Sequence, residues 1–277
     1  MDHKIKLIGF DLDGTLLTSD KRLSERTRKA MEEAIRQGVV LVPATGRPIS
    51  GVSKELLEFP GIRYVVTANG ARILDIVDGA VIAEELLPHE KCDAILSIFE
   101  KYDTYKEVYY DGIGYADQEQ LENIAAYHSD PAMQKYFQET RKPIESTRRR
   151  LEEEKRGMDK IQALFVSQED KKAAWMEIAD TVEEVEITGA LANNIEVNAS
   201  GIHKGNALLK LGAMFQIKRE EIMAFGDGKN DLKMLETAGV GVAMANSVPE
   251  VLAIADRIAE SNDDDGVAKI IEKYVLR

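Results

Sequence analysis

The chemistry of this chain begins where an apolar run meets two acids. Residues 5–10 read as a buried strand, and the stretch FDLDGTLL sets Asp11 and Asp13 at its end. A charge taken out of water needs a cation, a proton or solvent to offset the cost. Alternate strand residues face the same side, so Asp11 and Asp13 can converge while Leu12 points away. Together they could hold Mg²⁺, a hard cation that takes oxygen ligands. The plainer reading of the same letters is a turn, since DG and GT are ordinary turn chemistry.

Three more polar stretches could bind an anion or complete a metal site. In ATGRP, the Thr45 hydroxyl can donate one hydrogen bond, and Gly46 lets the backbone approach a ligand closely. Arg47 could clamp an anion or pair with a surface carboxylate, and Pro48 is usual at a helix start. In GIHKGN, Lys204 stands near a helix N-terminus, where the dipole prefers anions. An anion between the lysine and the amides would reconcile the two; a solvated lysine is the plainer alternative. His203 beside it reads as structural or exposed. In FGDGKND, Asp227 can complete a metal site with Asp11. Asn230 and Asp231, on a first helical turn, can orient the lysine or an anion, with a simple N-cap as the competing account. The later SNDDDG reads as a solvated acidic loop in which Asp265 caps the last helix.

Such residues need strands that end where they stand. After the first strand, LSERTRKAMEEAIRQG has helical spacing, with Ser24 as N-cap and Gly38 as stop. VVLVPAT is a second strand, ISGVSKELLEF a helix and YVVTANGA a third strand. This βαβαβ alternation predicts a parallel sheet between helices. ILDIVDGAVIAEEL then reads as a hairpin at DG. From about residue 88 to 188 the apolar runs shorten and charge thickens, which suggests a separate α+β module. There TYKEVYYDGIGYAD carries Tyr105, Tyr109, Tyr110 and Tyr115, KIQALFV reads as a strand, QEDKKAAWMEIADTV as a helix and EEVEIT as a strand. RKPIESTRRRLEEEKR reads as a solvated face. The first rhythm returns with NIEVN, a helix from HKGN, the strand EIMAFGD, the helix GKNDLKMLETAG, the strand VGVAMAN and a last helix, GVAKIIEKYVL. The expected fold is α/β, a doubly wound, mostly parallel sheet built from both ends of the chain around an inserted α+β domain. The boundaries expected are 1–84 and 193–277 for the core and 85–192 for the insertion.

Composition narrows the function. The 277 residues are 44% hydrophobic, enough for a sizeable core, and carry a formal charge of −13. That balance argues against a nucleic-acid binder, which carries a basic face. A few cations or a metal can still invert the local field around a small anion. No apolar stretch approaches the ~20 residues that span a bilayer, so no membrane partner is expected. MDHKIK leads straight into a strand pattern without a small-residue cleavage site, so no signal peptide is expected. The lone Cys92 can form no internal disulfide, which fits a reducing cytoplasm.

In order and spacing, DLDGTLL, ATGR, HKG and GDGKND make the chain resemble the haloacid dehalogenase superfamily of phosphotransferases. Within it, the chain is similar to the Cof-like phosphatases, which carry a large α/β cap between the second and third motifs. The resemblance implies a Rossmann-like core and a cap that closes over the strand ends and sets substrate choice. It implies an Mg²⁺-dependent phosphatase acting on a small phosphorylated metabolite, such as a sugar phosphate, through an aspartyl phosphate. Asp11 would be the nucleophile. Asp13 would protonate the leaving oxygen, then deprotonate water, and its backbone carbonyl would ligate the metal with Asp11 and Asp227. Thr45 and Lys204 would hold the phosphoryl oxygens, and Asn230 would contact phosphate or position Lys204. Asp231 would stand behind these groups, while Gly46 and Arg47 are the further substrate contacts expected.

Three other functions fit the same residues. A sugar phosphomutase shares the chemistry with a sugar as acceptor, and formation of an isomeric sugar phosphate would mark it. A receiver-like signalling module also uses aspartates, a threonine and a lysine, but needs no inserted cap and would hold phosphate without turnover. A non-catalytic phosphate-binding protein would stay inactive over a broad substrate panel.

Overall fold

The computed structural model describes residues 4–276; the first letters of MDHKIK, on which the signal-peptide reading partly rests, lie outside the described residues. The chain divides into two compact units. One takes the chain up to Gly46, Ser53–Ala83 and the chain from His203 onward; the other takes Arg47–Val52 and Glu84–Ile202. No helix among the described residues is long and apolar enough to cross a membrane.

The chain first runs through β1 (Leu7–Phe10), α1 (Glu25–Arg36), β2 (Val40–Pro43), α2 (Lys54–Leu57), β3 (Tyr64–Thr67), β4 (Arg72–Asp75) and β5 (Ala80–Glu84). The second unit contributes α3 (His89–Phe99), β6 (Thr104–Tyr110), β7 (Ile113–Asp117), α4 (Gln118–Glu122), α5 (Pro131–Thr140) and β8 (Arg141–Ile144). It continues with α6 (Thr147–Glu154), β9 (Lys160–Phe165), α7 (Gln168–Thr181), β10 (Val185–Thr188) and β11 (Asn194–Ala199). The return comprises α8 (Lys204–Met214), β12 (Ile222–Gly226), α9 (Leu232–Thr237), β13 (Val240–Ala243), α10 (Pro249–Ile254), β14 (Arg257–Ile258) and α11 (Gly266–Tyr274).

The sheet of the first unit has the order β14-β13-β12-β1-β2, with every pairing parallel. Strand β1 is wholly buried because helices cover both of its faces, so its apolar run does not alternate with polar residues. Helix α1 packs on α11, and α8 packs on α9. Helix α1 forms because Thr27, Ala30, Met31 and Ala34 make one buried face. The Ser24 side chain accepts the Thr27 N–H at 3.1 Å, and Gly38, at φ +84, lets the chain leave. Phe10 lies opposite both Phe225 and Pro43, so the residues after β1, β2 and β12 all emerge at one carboxyl edge. Ligands of such sheets bind at that edge.

The α/β class, with a parallel core sheet and an inserted α+β unit, agrees with the sequence reading, and several local details differ. The segment ISGVSKELLEF is not one helix: a 3₁₀ turn at Ile49–Gly51 is followed by extended Val52 and Ser53, then α2. Residues 47–52 belong to the second unit, where Gly51 passes so near Tyr136 that a Cβ would meet its hydroxyl at 2.3 Å. Strand β3 meets β2 at the isolated bridge Ala44↔Val66 and otherwise pairs antiparallel with β4, so it is not a full member of the parallel sheet. The expected hairpin forms from β4 and β5, with Gly79 at φ +69 in its turn. The core does not resume at 193. NIEVN is β11, which pairs antiparallel with β9 and β10, and the first unit resumes at His203. The helix α10 and the short edge strand β14 have no counterpart in the sequence reading.

The second unit is a six-stranded sheet of order β10-β11-β9-β6-β7-β8, antiparallel except between β7 and β8. Its core joins Ile95, Phe99, Val108, Ile161, Ile178 and Ile195 from strands and covering helices. Tyr105, Tyr109 and Tyr110 are fully buried, as ordinary strand aromatics are, while Tyr115 is half-buried. Among them lies Glu107, also fully buried, which accepts from the Tyr105 hydroxyl at 2.8 Å, the Tyr109 hydroxyl and Arg141 Nε at 2.7 Å. The charged run 141–156 is not one solvated face: Arg141, in β8, is buried on Glu107, while in α6 Arg149 pairs one helical turn away with Glu145 and Glu153, and Arg150 with Glu154.

Candidate active site

Alternation along β1 aims the first functional side chain. Gly9 faces α8 so closely that a Cβ there would meet Leu208 Cδ1 at 2.2 Å, and Asp11 follows two residues on. Asp11 meets Lys204, the first residue of α8. Lys204 Nζ lies 2.6 Å from Asp11 Oδ1 and 2.7 Å from Asp231 Oδ1, with its side chain 0% exposed. The second oxygen of Asp231 accepts the N–H groups of Asp227 and Gly228, each at 3.0 Å. Both of its oxygens are therefore engaged, and Asp231 fixes the lysine to the turn after β12. That turn is a 3₁₀ segment, Lys229–Asp231, ahead of α9, so GKND is not simply the first turn of a helix.

Asp227 stands at the mouth of β12. The Thr15 hydroxyl donates to its Oδ1 at 2.6 Å. Gly14 runs against the other oxygen at φ +80, and a Cβ there would meet Asp227 Oδ2 at 2.4 Å. Glycine serves here twice, in a conformation L side chains rarely adopt and at a distance none could fit. Carboxylate oxygens of Asp11, Asp227 and Asp231 all lie within 4.8 Å of one another.

Three acids around one ammonium leave an excess of buried negative charge. Burial is the main reason the Asp11 carboxyl is pushed up to about 8; Lys204 opposes the rise, and Asp231, Asp227 and Asp13 add to it. Burial and the neighbouring Asp231 push Asp227 up to about 6, against the Thr15 hydrogen bond and Lys204. Burial works against the Lys204 ammonium, but Asp11 and Asp231 outweigh it and hold the group above its ordinary value. An all-oxygen donor set with surplus negative charge and carboxyls forced toward protonation suits a hard divalent cation.

The side chain of Asp13 departs from the expected convergence. Regular strand geometry stops at Phe10, and residues 12–15 turn, with Leu16 N–H donating to Asp11 O at 3.2 Å. Strand alternation no longer applies there, and Asp13 Oδ1 pairs with Lys21 Nζ at 2.7 Å. The clustered carboxylates are thus Asp11, Asp227 and Asp231, where the sequence reading had Asp11, Asp13 and Asp227.

Thr45 leaves β2 at the same edge and is buried; its N–H donates to Val66 O at 2.9 Å, and its carbonyl accepts from Asn69 N–H at 3.0 Å. Gly46 beside it is half-buried. The Asn69 contact was missed in the sequence, where the pair Asn-Gly after a strand is the signal. Ala68, Asn69 and Gly70 take φ of 49, 60 and 113 in succession, and a Cβ on Gly70 would meet His203 O at 2.7 Å. This tight segment lies between the Thr45 loop and the start of α8. His203 caps α8, its Nδ1 accepting from Asn206 N–H at 3.4 Å, which is the structural role expected. Asn230 is half-buried in the 3₁₀ turn, where a Cβ on Gly228 would meet its Oδ1 at 2.8 Å. Arg47 belongs to the second unit; its Nη1 donates to Gly51 O at 2.8 Å and its guanidinium lies 4.5 Å over the Tyr136 ring. Asp265 does not cap α11 with its side chain; it sits at φ +58 and accepts from the Ser24 hydroxyl at 2.5 Å.

Residues 8–271 match the family model of the haloacid dehalogenase-like hydrolases. The chain belongs to that family. This haloacid dehalogenase-like hydrolase is 33% identical over 276 residues to the 5-amino-6-(5-phospho-D-ribitylamino)uracil phosphatase YcsE of Bacillus subtilis, an alignment covering 99% of this chain and 98% of the relative. Among solved structures it is similar to a haloacid dehalogenase-like hydrolase from B. subtilis, with TM-score 0.86 and 31% identity over 97% of this chain and 99% of that one. It is also similar to the subclass IIB sugar phosphatase BT4131, with TM-score 0.83 and 25% identity over 98% and 100% of the two chains. The family read from the four motifs is the family found.

Proposed function

We propose that this hydrolase is an Mg²⁺-dependent phosphatase that releases phosphate from a small phosphorylated metabolite through an aspartyl phosphate on Asp11. The observation that carries the reading is the Asp11 carboxylate held 2.6 Å from a fully buried ammonium, with Asp227 beside it. A carboxylate can approach a phosphate dianion when fixed positive charge stands between them. The phosphatase names of YcsE and BT4131 support the same class and a small substrate. The inserted unit is the proposed cap.

In this reading an Asp11 oxygen bonds to phosphorus while the bond to the leaving oxygen breaks, and Asp13 gives that oxygen its proton. Thr45, Lys204 and Asn230 hold the phosphoryl oxygens. Water then displaces Asp11 and returns a proton to Asp13. Asp11, Asp227 and the Asp13 backbone carbonyl would hold the metal, since both oxygens of Asp231 are occupied. Bound there, Mg²⁺ supplies charge that lets the nucleophile meet the phosphate and steadies the transferring group.

Phosphate release from an aryl phosphate should require Mg²⁺ and stop with chelator, and a panel of phosphorylated metabolites should then name the substrate. No release from any of them, with Mg²⁺ present, would sink the reading. A thermal-shift measurement tests the metal separately. In the metal-free fold, Asp11 and Asp227 keep protons that the unfolded chain has lost, so stability declines as pH rises from about 4 to about 8. Mg²⁺ binds the deprotonated acids, so the stabilisation it confers should be larger near about pH 8.5 than near about pH 5.5. An equal shift at both would remove the carboxylate cluster as its site.

A further inference from the structure

We propose that Lys21 is a positioning residue for the hydrolytic half of the reaction, and that the acidic loop at 261–265 exists to hold it there. The inference rests on the phosphatase reading. In the second half-reaction, water adds to phosphorus, the bond from phosphorus to Asp11 breaks, and the water proton passes to Asp13. The Asp13 carboxylate must therefore lie in one place while the acceptor is needed.

Lys21 Nζ holds Asp13 Oδ1 at 2.7 Å, with side chains 42% and 35% exposed. The contact is made by a turn that folds back on itself: Thr18 N–H donates to Arg22 O at 3.0 Å, and Lys21 N–H to Thr18 O at 2.8 Å. Lys21 sits at its tip at φ +60, a conformation that favours glycine or asparagine over lysine. A lysine is thus kept where the backbone alone would choose otherwise.

The same turn is tied down from the far end of the chain. Asp263 accepts from Ser19 twice, from its N–H at 2.8 Å and its hydroxyl at 2.7 Å. Asn262 Nδ2 donates to Leu17 O at 2.9 Å. Asn246 Nδ2 donates to Gly14 O at 2.8 Å, while its Oδ1 accepts from Asn262 N–H at 3.1 Å. With Ser24 on Asp265, residues 14 to 24 are gripped at four points, and the SNDDDG stretch, with Asp263 and Asp264 still exposed to solvent, also acts as a clasp. An exposed ion pair adds little stability, so a structural account of Lys21 predicts almost no effect from losing it.

The test is steady-state and burst kinetics on an aryl phosphate with saturating Mg²⁺. In a two-step mechanism, slowing hydrolysis of the intermediate lowers kcat and KM together and leaves kcat/KM unchanged. Lys21→Ala is expected to lower both by roughly tenfold, with a burst of aryl alcohol rising toward one per enzyme, and Lys21→Arg to restore most of kcat. Asp263→Ala should move the constants in the same direction. Unchanged kcat in Lys21→Ala, or a fall in kcat/KM without a burst, would overturn the role of Lys21 while leaving the phosphatase intact. An Asp263→Ala that alters kcat/KM alone would overturn the role of the clasp. No turnover in the unaltered chain would overturn both readings together.

Discussion

Asp11→Asn is expected to abolish phosphate release, a loss of roughly 10⁴–10⁶-fold, because an amide cannot form the phosphoryl intermediate. The same change should stabilise the metal-free protein at alkaline pH. Burial already forces the Asp11 carboxyl up to about 8, so above that pH the fold carries a charge it resists. A neutral amide of the same shape removes that burden and can still accept from Lys204. Melting without metal near about pH 8.5 should therefore rise by about 2–4 °C, and near about pH 5.5, where the acid holds its proton, it should stay level. The stabilisation given by Mg²⁺ should shrink in parallel. Retained turnover would strip Asp11 of the nucleophile's role. Lost turnover with lowered stability at every pH would mean that the carboxylate is a structural partner of Lys204 first.

Lys204→Met is expected to damage fold and reaction together. Its ammonium is wholly buried between Asp11 and Asp231, and removing it leaves two carboxylates facing each other without a cation. Breaking a buried pair in this way costs about 3–5 kcal/mol, since the remaining charge is uncompensated. Loss of a preorganised donor to the phosphoryl group should lower kcat by about 10²–10³-fold. The two effects can be separated in one further variant. Adding Asp231→Asn to Lys204→Met removes one of the stranded charges and should recover much of the stability without recovering activity. If the double variant regained activity as well, Lys204 would act only through the fold.

What could be read from the letters follows a physical divide. Buried parallel strands are short apolar runs, so β1, β2, β12 and β13 were legible, and so were the polar residues waiting at their ends. Asp11, Lys204 and Asp227 stood out because an acid at the end of an apolar run, or a cation at a helix N-terminus, breaks the chemistry expected there, while Thr45 offered only a hydroxyl at a strand end. The partner of Asp13 was not legible, because the strand rule that places Asp11 expires at Phe10 and a turn with a left-handed lysine takes over. Nor was the clasp: Asp263 and Ser19 are 244 residues apart in sequence, and acidic residues beside a glycine look alike whether solvated or engaged. NIEVN was assigned to the wrong unit for a similar reason. A β-branched alternating run declares a strand but not its sheet, and only the pairing of β11 with β9 and β10 decides that.

Strand β1 has a further consequence for how the molecule comes into being. It is made well before its neighbour β12, and Asp11 and Lys204 stand 193 residues apart. On a ribosome, which releases the chain from the N-terminus, β1 must wait with its carboxylate unanswered while everything in between is synthesised. The inserted unit, whose strands close by Ala199, can be finished before the first unit has its central pairing. Until Lys204 and Asp231 emerge, Asp11 lacks the ammonium and the acid that complete its cluster, and its charge keeps that exposed edge in water and away from other nascent chains.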